Sequence, residues 1–238
     1  MIDANAVAQI SAKLDFLSSR IKVACERAGR NPAEVEIMAV TKYAAPLQIQ
    51  ALVETGRVAV LGESRVLPAI EKWQLPELSA IRSRVKLHLI GRVQSNKAGR
   101  ISDFFDGVDS IDNIASARII GAKAAALGRK MPVLIQVKLT DRETQSGVPI
   151  TEAAKLAEQA AGVEGLSVRG YMAIAPIVQD QQELRPYFRR MKQLFDTDFS
   201  RSAPGVKNYL SLGMTGDFEA AVEEGSNLPR IGSAIFAK

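Results

Sequence analysis

The ten residues IMAVTKYAAP, at positions 37–46, place a lysine directly behind an apolar run. The wider segment VEIMAV (35–40) is short, apolar and bounded by turn residues, which is typical of a buried strand. Pro46 is well suited to the first position of a helix, which we expect to run to about Glu54. The stretch therefore predicts a buried strand, with Lys42 at its carboxyl end, followed by a helix.

The same alternation of strand patterns and helix patterns continues through the sequence. We expect seven further strands, at residues 58–61, 86–90, 107–111, 132–139, 166–173, 209–212 and 228–231. We expect helices between them at residues 63–73, after Ser95, and at 113–127, 151–162, 184–195 and 217–224. Ahead of the first strand, apolar residues at three- and four-residue spacing over positions 7–24 predict one more helix.

Eight strand–helix units within 238 residues match a (β/α)8 TIM barrel of the α/β class, here with an additional N-terminal helix. No Pro-, Gly- or Ser-rich linker divides the sequence, so we expect residues 1–238 to form a single domain. A doubly wound open sheet is the alternative, but that fold usually has a Gly-rich first turn, and no GxGxxG motif is present. The barrel is therefore favoured.

The composition excludes several classes of function. Cys25 and His88 are the single cysteine and the single histidine, which rules out an internal disulfide and a metal site built from these residue types. The net charge of +5 comes from basic residues spread along the chain without a basic run, so we expect no nucleic-acid partner. No apolar stretch reaches the length of a membrane span, and the first residues lack a secretory pattern. We expect a cytoplasmic protein.

The last two predicted loops offer groups that suit a phosphate. In a barrel of this kind the active site lies at the carboxyl ends of the strands, and the last two loops often bind phosphate. The segments LSLGMTGDFEAA (210–221) and PRIGSAIFAK (229–238) supply hydroxyl groups, a guanidinium and a glycine: Ser211, Thr215, Arg230, Gly232 and Ser233. Such donors, with backbone N–H groups, are those that a phosphate dianion prefers.

Lys42 would face that anion site across the mouth of the barrel. A lysine amine is almost wholly protonated in neutral water, and partial burial near a cation such as Arg230 would favour its neutral, nucleophilic form. A reactive lysine beside a phosphate site is typical of two chemistries: a Schiff-base aldolase acting on sugar phosphates, and pyridoxal 5'-phosphate (PLP) held as an imine. The residues alone leave both open.

His88 falls within the third predicted strand, ahead of Ile90. The alternation of side chains along a strand directs it to the barrel interior. A hydrogen-bonded core histidine is the simpler interpretation. Contact with a bound cofactor is the alternative, and His88 therefore stays among the candidate site residues.

Several longer segments resemble the pyridoxal phosphate homeostasis protein family, which shares the barrel of the alanine racemase N-terminal domain. They span residues 39–236 in the family's order: AVTKYAAP, LGESRV, HLIGRVQSNKAG, SIDN, VLIQVKLTDRETQSGV, RGYMAIAP, YLSLGMTGDFEAAVEEGS and RIGSAIF. The combination is highly specific. It implies the barrel fold and a PLP cofactor.

The resemblance also implies roles for individual residues. Lys42 would carry PLP as an imine, and Arg230 would lie near the phosphate or the pyridine nitrogen. The phosphate would be surrounded by residues of the last two loops: Ser211, Thr215, Gly232 and Ser233. Ser64, His88 and Met214 complete the candidate cofactor-binding residues, and the family usually has asparagine at the position of Ser64.

Two classes of PLP protein then compete. The first holds PLP as a lysine imine and serves intracellular PLP homeostasis without strong catalysis of its own. The second is a PLP-dependent amino-acid racemase, which needs a proton donor on each face of the ring. Alanine racemases also carry a C-terminal β-domain, and we expect none here because the sequence ends at Lys238. We favour the first class, with PLP-dependent apo-enzymes as recipients and a monomeric chain; a sugar-phosphate aldolase is the least favoured.

Overall fold

A computed structural model describes residues 3–94, 97–140, 145–176, 178, 180–200 and 205–237. Ser95, which precedes a predicted helix, lies outside the described residues. The described strands are β1 (Met38–Val40), β2 (Val60–Glu63), β3 (Lys86–Leu89), β4 (Gly107–Ile111), β5 (Met131–Lys138), β6 (Val148–Pro149), β7 (Leu166–Ile174), β8 (Tyr209–Ser211) and β9 (Arg230–Ile231). The described α-helices are α1 (Ala4–Arg27), α2 (Pro46–Glu54), α3 (Val66–Trp73), α4 (Pro76–Ser79), α5 (Ala98–Phe104), α6 (Ile114–Ala126), α7 (Ile150–Ala161), α8 (Arg185–Phe199), α9 (Phe218–Glu223) and α10 (Ser233–Phe236).

Eight parallel strands of the described chain form one curved sheet in the order β8–β7–β5–β4–β3–β2–β1–β9, and the short β6 pairs with β5. Between β8 and β9 the described residues form no regular ladder. Two backbone bonds bridge them instead: Arg230 N–H to Gly213 C=O at 3.0 Å, and Asn227 N–H to Leu210 C=O at 3.1 Å. The sheet is therefore a nearly closed (β/α)8 TIM barrel, and the predicted fold is confirmed.

Side chains alternate between the barrel interior and the layer between strands and helices. On β3, Leu87 and Leu89 belong to the apolar core of the outer layer, so His88 points inward. The same alternation places Asp109 and Arg230 inside, next to outward-facing neighbours. The outer layer thus supplies most of the apolar core, and the interior holds buried polar groups.

The predicted N-terminal helix is α1. Asp3 caps it, because its side chain accepts a hydrogen bond from the Asn5 N–H at 2.9 Å. One face is buried against α2, α9 and α10, with Cys25 fully buried as a small apolar side chain. Burial raises the pKa of the Cys25 thiol. Among the helices in the described ranges, none has the length and hydropathy that a membrane crossing requires.

The structure departs from the predicted boundaries mainly at β2. The sequence predicts a helix from residue 63, whereas β2 continues through Glu63 and α3 begins at Val66. The Glu63 carboxylate is only 3% exposed and accepts hydrogen bonds from Thr41 and Trp73. A charge that is typical of a helix surface is therefore held in the strand by tertiary contacts.

Other differences concern short elements. β1 and β9 are shorter than the predicted strands at 35–40 and 228–231. Within the extra residues, the Glu36 N–H still donates to Asn227 C=O at 2.9 Å, outside the regular ladder. The two-residue β6 and the four-residue α4 are not predicted, because such segments are too short to show a periodic pattern.

Candidate functional site

A cavity of about 740 Å³ opens at the carboxyl ends of the barrel strands. Its size falls within the range of roughly 300–1,000 Å³ that is usual for small-molecule sites. Seven predicted site residues line it: Lys42, Ser64, Met214, Thr215, Arg230, Gly232 and Ser233. Two predicted residues, His88 and Ser211, lie outside its described lining.

Lys42 lies two residues beyond the end of β1 and reaches the cavity from the rim. Its side chain is exposed, not partly buried as the nucleophile argument supposes. The ammonium lies 5.2 Å from the ring centroid of Tyr43, which also lines the cavity and is 82% exposed. The amine can therefore be approached both from the cavity and from solvent.

The loops after β8 and β9 meet beside the strand that carries Lys42, because β9 pairs directly with β1. The expectation that Lys42 faces these loops across the mouth is therefore wrong. Thr215 Oγ1 accepts a hydrogen bond from the Ala234 N–H at 3.5 Å, which joins the two loops. Gly213 has φ 88°, a conformation that glycine adopts without strain, and a side chain there would collide with the Phe218 backbone. These contacts bring the hydroxyl groups of Thr215 and Ser233 to one cavity.

Asp217 fixes the turn that carries Met214 and Thr215. Its Oδ1 accepts a hydrogen bond from the Met214 N–H at 2.6 Å. Burial raises the pKa of Asp217 above its ordinary value, while the Met214 N–H and the charge of Arg230 act in the opposite direction. Asp217 therefore holds the loop from behind and is not part of the described lining.

Arg230 closes the barrel seam and also lines the cavity, with only 4% of its surface exposed. Its Nη1 donates to the carbonyl and hydroxyl oxygens of Ser211 at 2.7 and 2.8 Å, and its Nη2 donates to Ala173 C=O at 2.8 Å. Burial lowers the pKa of Arg230 to about 10, so the guanidinium stays cationic at neutral pH. Ser211 supports Arg230 rather than lining the cavity.

Ser64 reaches the cavity from the loop after β2. It lies against Gly91, which follows β3 and also lines the cavity. A Cβ on Gly91 would stand 1.9 Å from the Ser64 carbonyl oxygen, so a glycine is needed for this close approach.

His88 lies inside the barrel, as predicted, with Nδ1 2.9 Å from Oδ1 of Asp109. Burial disfavours the imidazolium, but the Asp109 carboxylate more than offsets this and raises the pKa of His88. Asp109 is 1% exposed, and within the described ranges its Oδ2 has no hydrogen-bond partner. The pair joins adjacent strands β3 and β4, a contact that the sequence does not indicate.

An apolar wall completes the cavity and is absent from the predicted site. It consists of Val40, Ile90, Ile174 and Phe236. Val40 and Ile90 could have been found by extending the strand alternation to the strand ends. Phe236 could not, because only the turn of α10 brings it back over the mouth.

A second cavity of about 320 Å³ lies at the amino-terminal end of β1 and β2. Its described lining includes Glu36 and Arg57 but no lysine. Active sites of TIM barrels lie at the other end. The 740 Å³ cavity is therefore the candidate site.

A family model describing the alanine racemase N-terminal domain matches residues 13–238. The solved alanine racemase of Clostridium difficile has the same architecture: its TM-score is 0.69 at 15% identity, over 97% of this chain and 57% of that chain. That likeness concerns the fold alone. The fold and the lysine at its mouth thus define a barrel of the alanine racemase N-terminal class.

Comparison with named relatives identifies one family within this class. The pyridoxal phosphate homeostasis protein of Vibrio alginolyticus is 31% identical over 97% of each chain, and that of Aquifex aeolicus is 32% identical over 95% of this chain and 96% of the relative. PipY of Synechococcus elongatus, solved with PLP bound, has a TM-score of 0.79 at 28% identity, over 96% of this chain and 100% of that chain. The chain belongs to the pyridoxal phosphate homeostasis protein family.

Proposed function

We propose that the protein holds PLP as an imine on Lys42 and serves PLP homeostasis in the cell, without strong catalysis of its own. The observation that carries this proposal is the arrangement of Lys42, Thr215, Arg230, Gly232 and Ser233 around one cavity. The named relatives, and the PLP bound to PipY, support the choice of ligand.

The residues of the cavity fit PLP chemically. Lys42 offers the amine that an aldehyde requires, and the apolar wall suits an aromatic ring. Thr215, Ser233 and the backbone at Gly232 would hold the phosphate. When bound, PLP supplies an aldehyde carbon that reacts with amines and a ring that can accept electrons.

Arg230 would limit further chemistry. Its guanidinium is fixed by Ser211 and Ala173, and we propose that it lies near the phosphate or the ring nitrogen. A fixed cation near the ring nitrogen opposes protonation of that nitrogen, and an unprotonated ring is a poor acceptor of electrons. The arrangement favours holding the cofactor over carbanion chemistry.

The lining also offers few proton donors. Racemisation requires an acid or base on each face of the substrate. Among the described residues that line the cavity there is no carboxylate and no imidazole. Tyr43 is the residue next to Lys42 that could exchange a proton, which keeps a PLP-dependent racemase as the second candidate.

We extend the proposal to the setting of the protein. The exposed amine of Lys42 would leave its bond to PLP open to an incoming amine, which suits release to PLP-dependent apo-enzymes. We propose that residues 1–238 act as one domain, that the chain is monomeric, and that it works in the cytoplasm.

Absorption spectroscopy tests the proposal. The purified protein mixed with PLP should show the visible band of an imine, and borohydride should remove that band and leave PLP mass on the peptide that contains Lys42. Lys42→Ala should abolish both signals, whereas Lys123→Ala, on an exposed ion pair with Asp103, should leave them unchanged. A wild-type protein that takes up no PLP, or a Lys42→Ala variant that keeps the band, would overturn the proposal.

A racemisation assay separates the two candidates. The PLP-loaded protein incubated with L-alanine should produce D-alanine far more slowly than the turnover of about 1 s⁻¹ or more that is common for enzymes. Turnover at such a rate would overturn the homeostasis proposal in favour of the racemase.

A further inference from the structure

Behind Lys42, a buried polar cluster surrounds one carboxylate oxygen. We call it the Glu63 cluster; its members are Thr41, Glu63, Lys72 and Trp73. Glu63 Oε1 accepts hydrogen bonds from the Thr41 hydroxyl at 2.7 Å and the Trp73 indole N–H at 3.3 Å, and it pairs with the Lys72 ammonium at 2.5 Å. The carboxylate is 3% exposed, so these three donors replace water.

Gly62 and two members of the cluster together engage every polar group of Thr41. Its N–H donates to Gly62 C=O at 3.0 Å, its hydroxyl donates to Glu63, and its C=O accepts from Lys72 Nζ at 2.7 Å. Contacts from both β2 and α3 thus fix residue 41 in backbone and side chain. Lys42 is the next residue, so the position of its Cα is fixed by the same contacts.

The Lys42 side chain, in contrast to Thr41, is not held by the Glu63 cluster. It is exposed, and within the described ranges it forms no ion pair. Apart from the Tyr43 ring beneath its ammonium, this exposed side chain can reach across the cavity mouth, while its base stays fixed on the rim of the cavity that Thr215 and Ser233 also line. This combination suits an amine that must find an aldehyde in a bound ligand.

Stability alone does not account for these charges. The Glu63 carboxylate is buried and its partner Lys72 is partly buried, which makes the pair costly to desolvate, and apolar residues of similar volume often stabilise a fold equally well. Other positions of α3 that face the core, such as Val66 and Ala69, are apolar. What distinguishes Glu63 and Lys72 is that both contact the residue before Lys42.

We propose that Glu63 and Lys72 are positioning residues for Lys42: they lock Thr41 so that the lysine amine starts from one fixed point on the cavity rim. The inference rests on the proposed function, since it concerns the bond between Lys42 and PLP. Loosening residue 41 should therefore slow formation of that bond more than it weakens capture of the phosphate end of the ligand.

The test uses the double variant Glu63→Gln/Lys72→Met, which removes both charges without leaving either one buried alone. Imine formation with PLP, followed by stopped-flow absorption, should slow on the order of tenfold to hundredfold, the loss typical of a misplaced reacting group. Affinity for a PLP analogue without the aldehyde should stay within about twofold of wild type, because that ligand does not bond to Lys42. Asp103→Asn/Lys123→Met neutralises an exposed pair and should match wild type in both measurements.

Each outcome separates the two proposals. If the wild type forms no imine, the proposed function fails. If the wild type forms the imine and the folded double variant forms it equally fast, the positioning role fails and the proposed function stands. Equal losses in imine rate and analogue affinity would mean that the cluster supports the whole cavity, which also overturns the inference. Should the double variant not fold, Thr41→Val, which removes only the hydroxyl contact, should show the same selective slowing.

Discussion

Charged side chains are used differently on two faces of this barrel. On the helix face, formed by α1, α8 and α9, cations are paired with glutamates: Arg20 with Glu219, Arg185 with Glu223 and Glu224, and Arg189 with Glu224. At the carboxyl ends of the strands, four cations, called here the mouth cations, have no carboxylate partner in the described part of the chain: Lys42, which lines the cavity, and Arg65, Arg92 and Lys138, which follow or end β2, β3 and β5. Paired charges hold elements together, whereas the mouth cations remain available to an anionic ligand.

Arg230 lies between these two cases, because it lines the cavity but is fully engaged by the protein. We expect Arg230→Met to lower the free energy of unfolding by about 2–4 kcal/mol, since the Ser211 and Ala173 carbonyl groups lose their donor inside the barrel. Urea unfolding at neutral pH without PLP measures this loss. A variant as stable as wild type would show that the seam does not depend on the guanidinium.

On the helix face, Arg185→Met should have a smaller effect. It removes one of two partners of Glu223, the other being Arg27, and one of two partners of Glu224, and we expect a loss of about 1–2 kcal/mol in the free energy of unfolding. PLP affinity should not change, because Arg185 is not among the residues of the described lining. A clear loss of PLP affinity would show that charges on the helix face also affect ligand binding, which contradicts the difference between the two faces.

At the mouth, Arg92→Met should show the reverse pattern. Arg92 is exposed and follows Gly91 of the cavity wall, so its removal should change the free energy of unfolding by less than about 0.5 kcal/mol. The association rate of PLP should fall roughly two- to fivefold at low salt, because a cation that attracts the phosphate is lost. Raising the salt concentration should remove the difference from wild type. A rate independent of both salt and Arg92 would contradict a role for the mouth cations.

Inside the barrel, the His88–Asp109 pair predicts a pH dependence of stability. Asp109 raises the pKa of His88 above its ordinary value of 6.5, so the stabilisation is complete below about pH 6.5 and is lost as pH rises through the folded-state pKa. The advantage of wild type over His88→Gln in urea unfolding should therefore shrink with rising pH. His88 is the single histidine of the chain, so no other imidazole contributes. A constant difference between the two proteins would show that the pair does not titrate.

The parts of the structure that follow from local pattern are those that the sequence predicts. β4, for example, occupies residues 107–111 as predicted, because its five buried residues are contiguous in the chain. Lys42 and the loops at Thr215 and Gly232 are found once the barrel is assumed, because the carboxyl ends of the strands meet in every such fold.

The parts that depend on closure of the barrel are not predicted. Glu63 ends a strand rather than beginning a helix because Thr41 and Trp73 reach its carboxylate from other elements. His88 meets Asp109 across two strands whose register is set by the whole sheet. Pairings of this kind carry no signal in the spacing of residues along the chain.

The seam between β8 and β9 has a consequence for the fate of the protein in a cell. Side chains fasten it: Ser226 donates to Leu210 and Leu212 carbonyl oxygens, Asn227 accepts from the Leu210 N–H, and Arg230 holds Ser211. With only two backbone hydrogen bonds beside these side-chain contacts, the seam is where we expect the barrel to open first, and Arg230 and the loops carrying Thr215 and Ser233 border it. A bound ligand would hold the two sides of the seam together, so the lifetime of the protein against proteolysis would lengthen when PLP is plentiful and shorten when PLP is scarce.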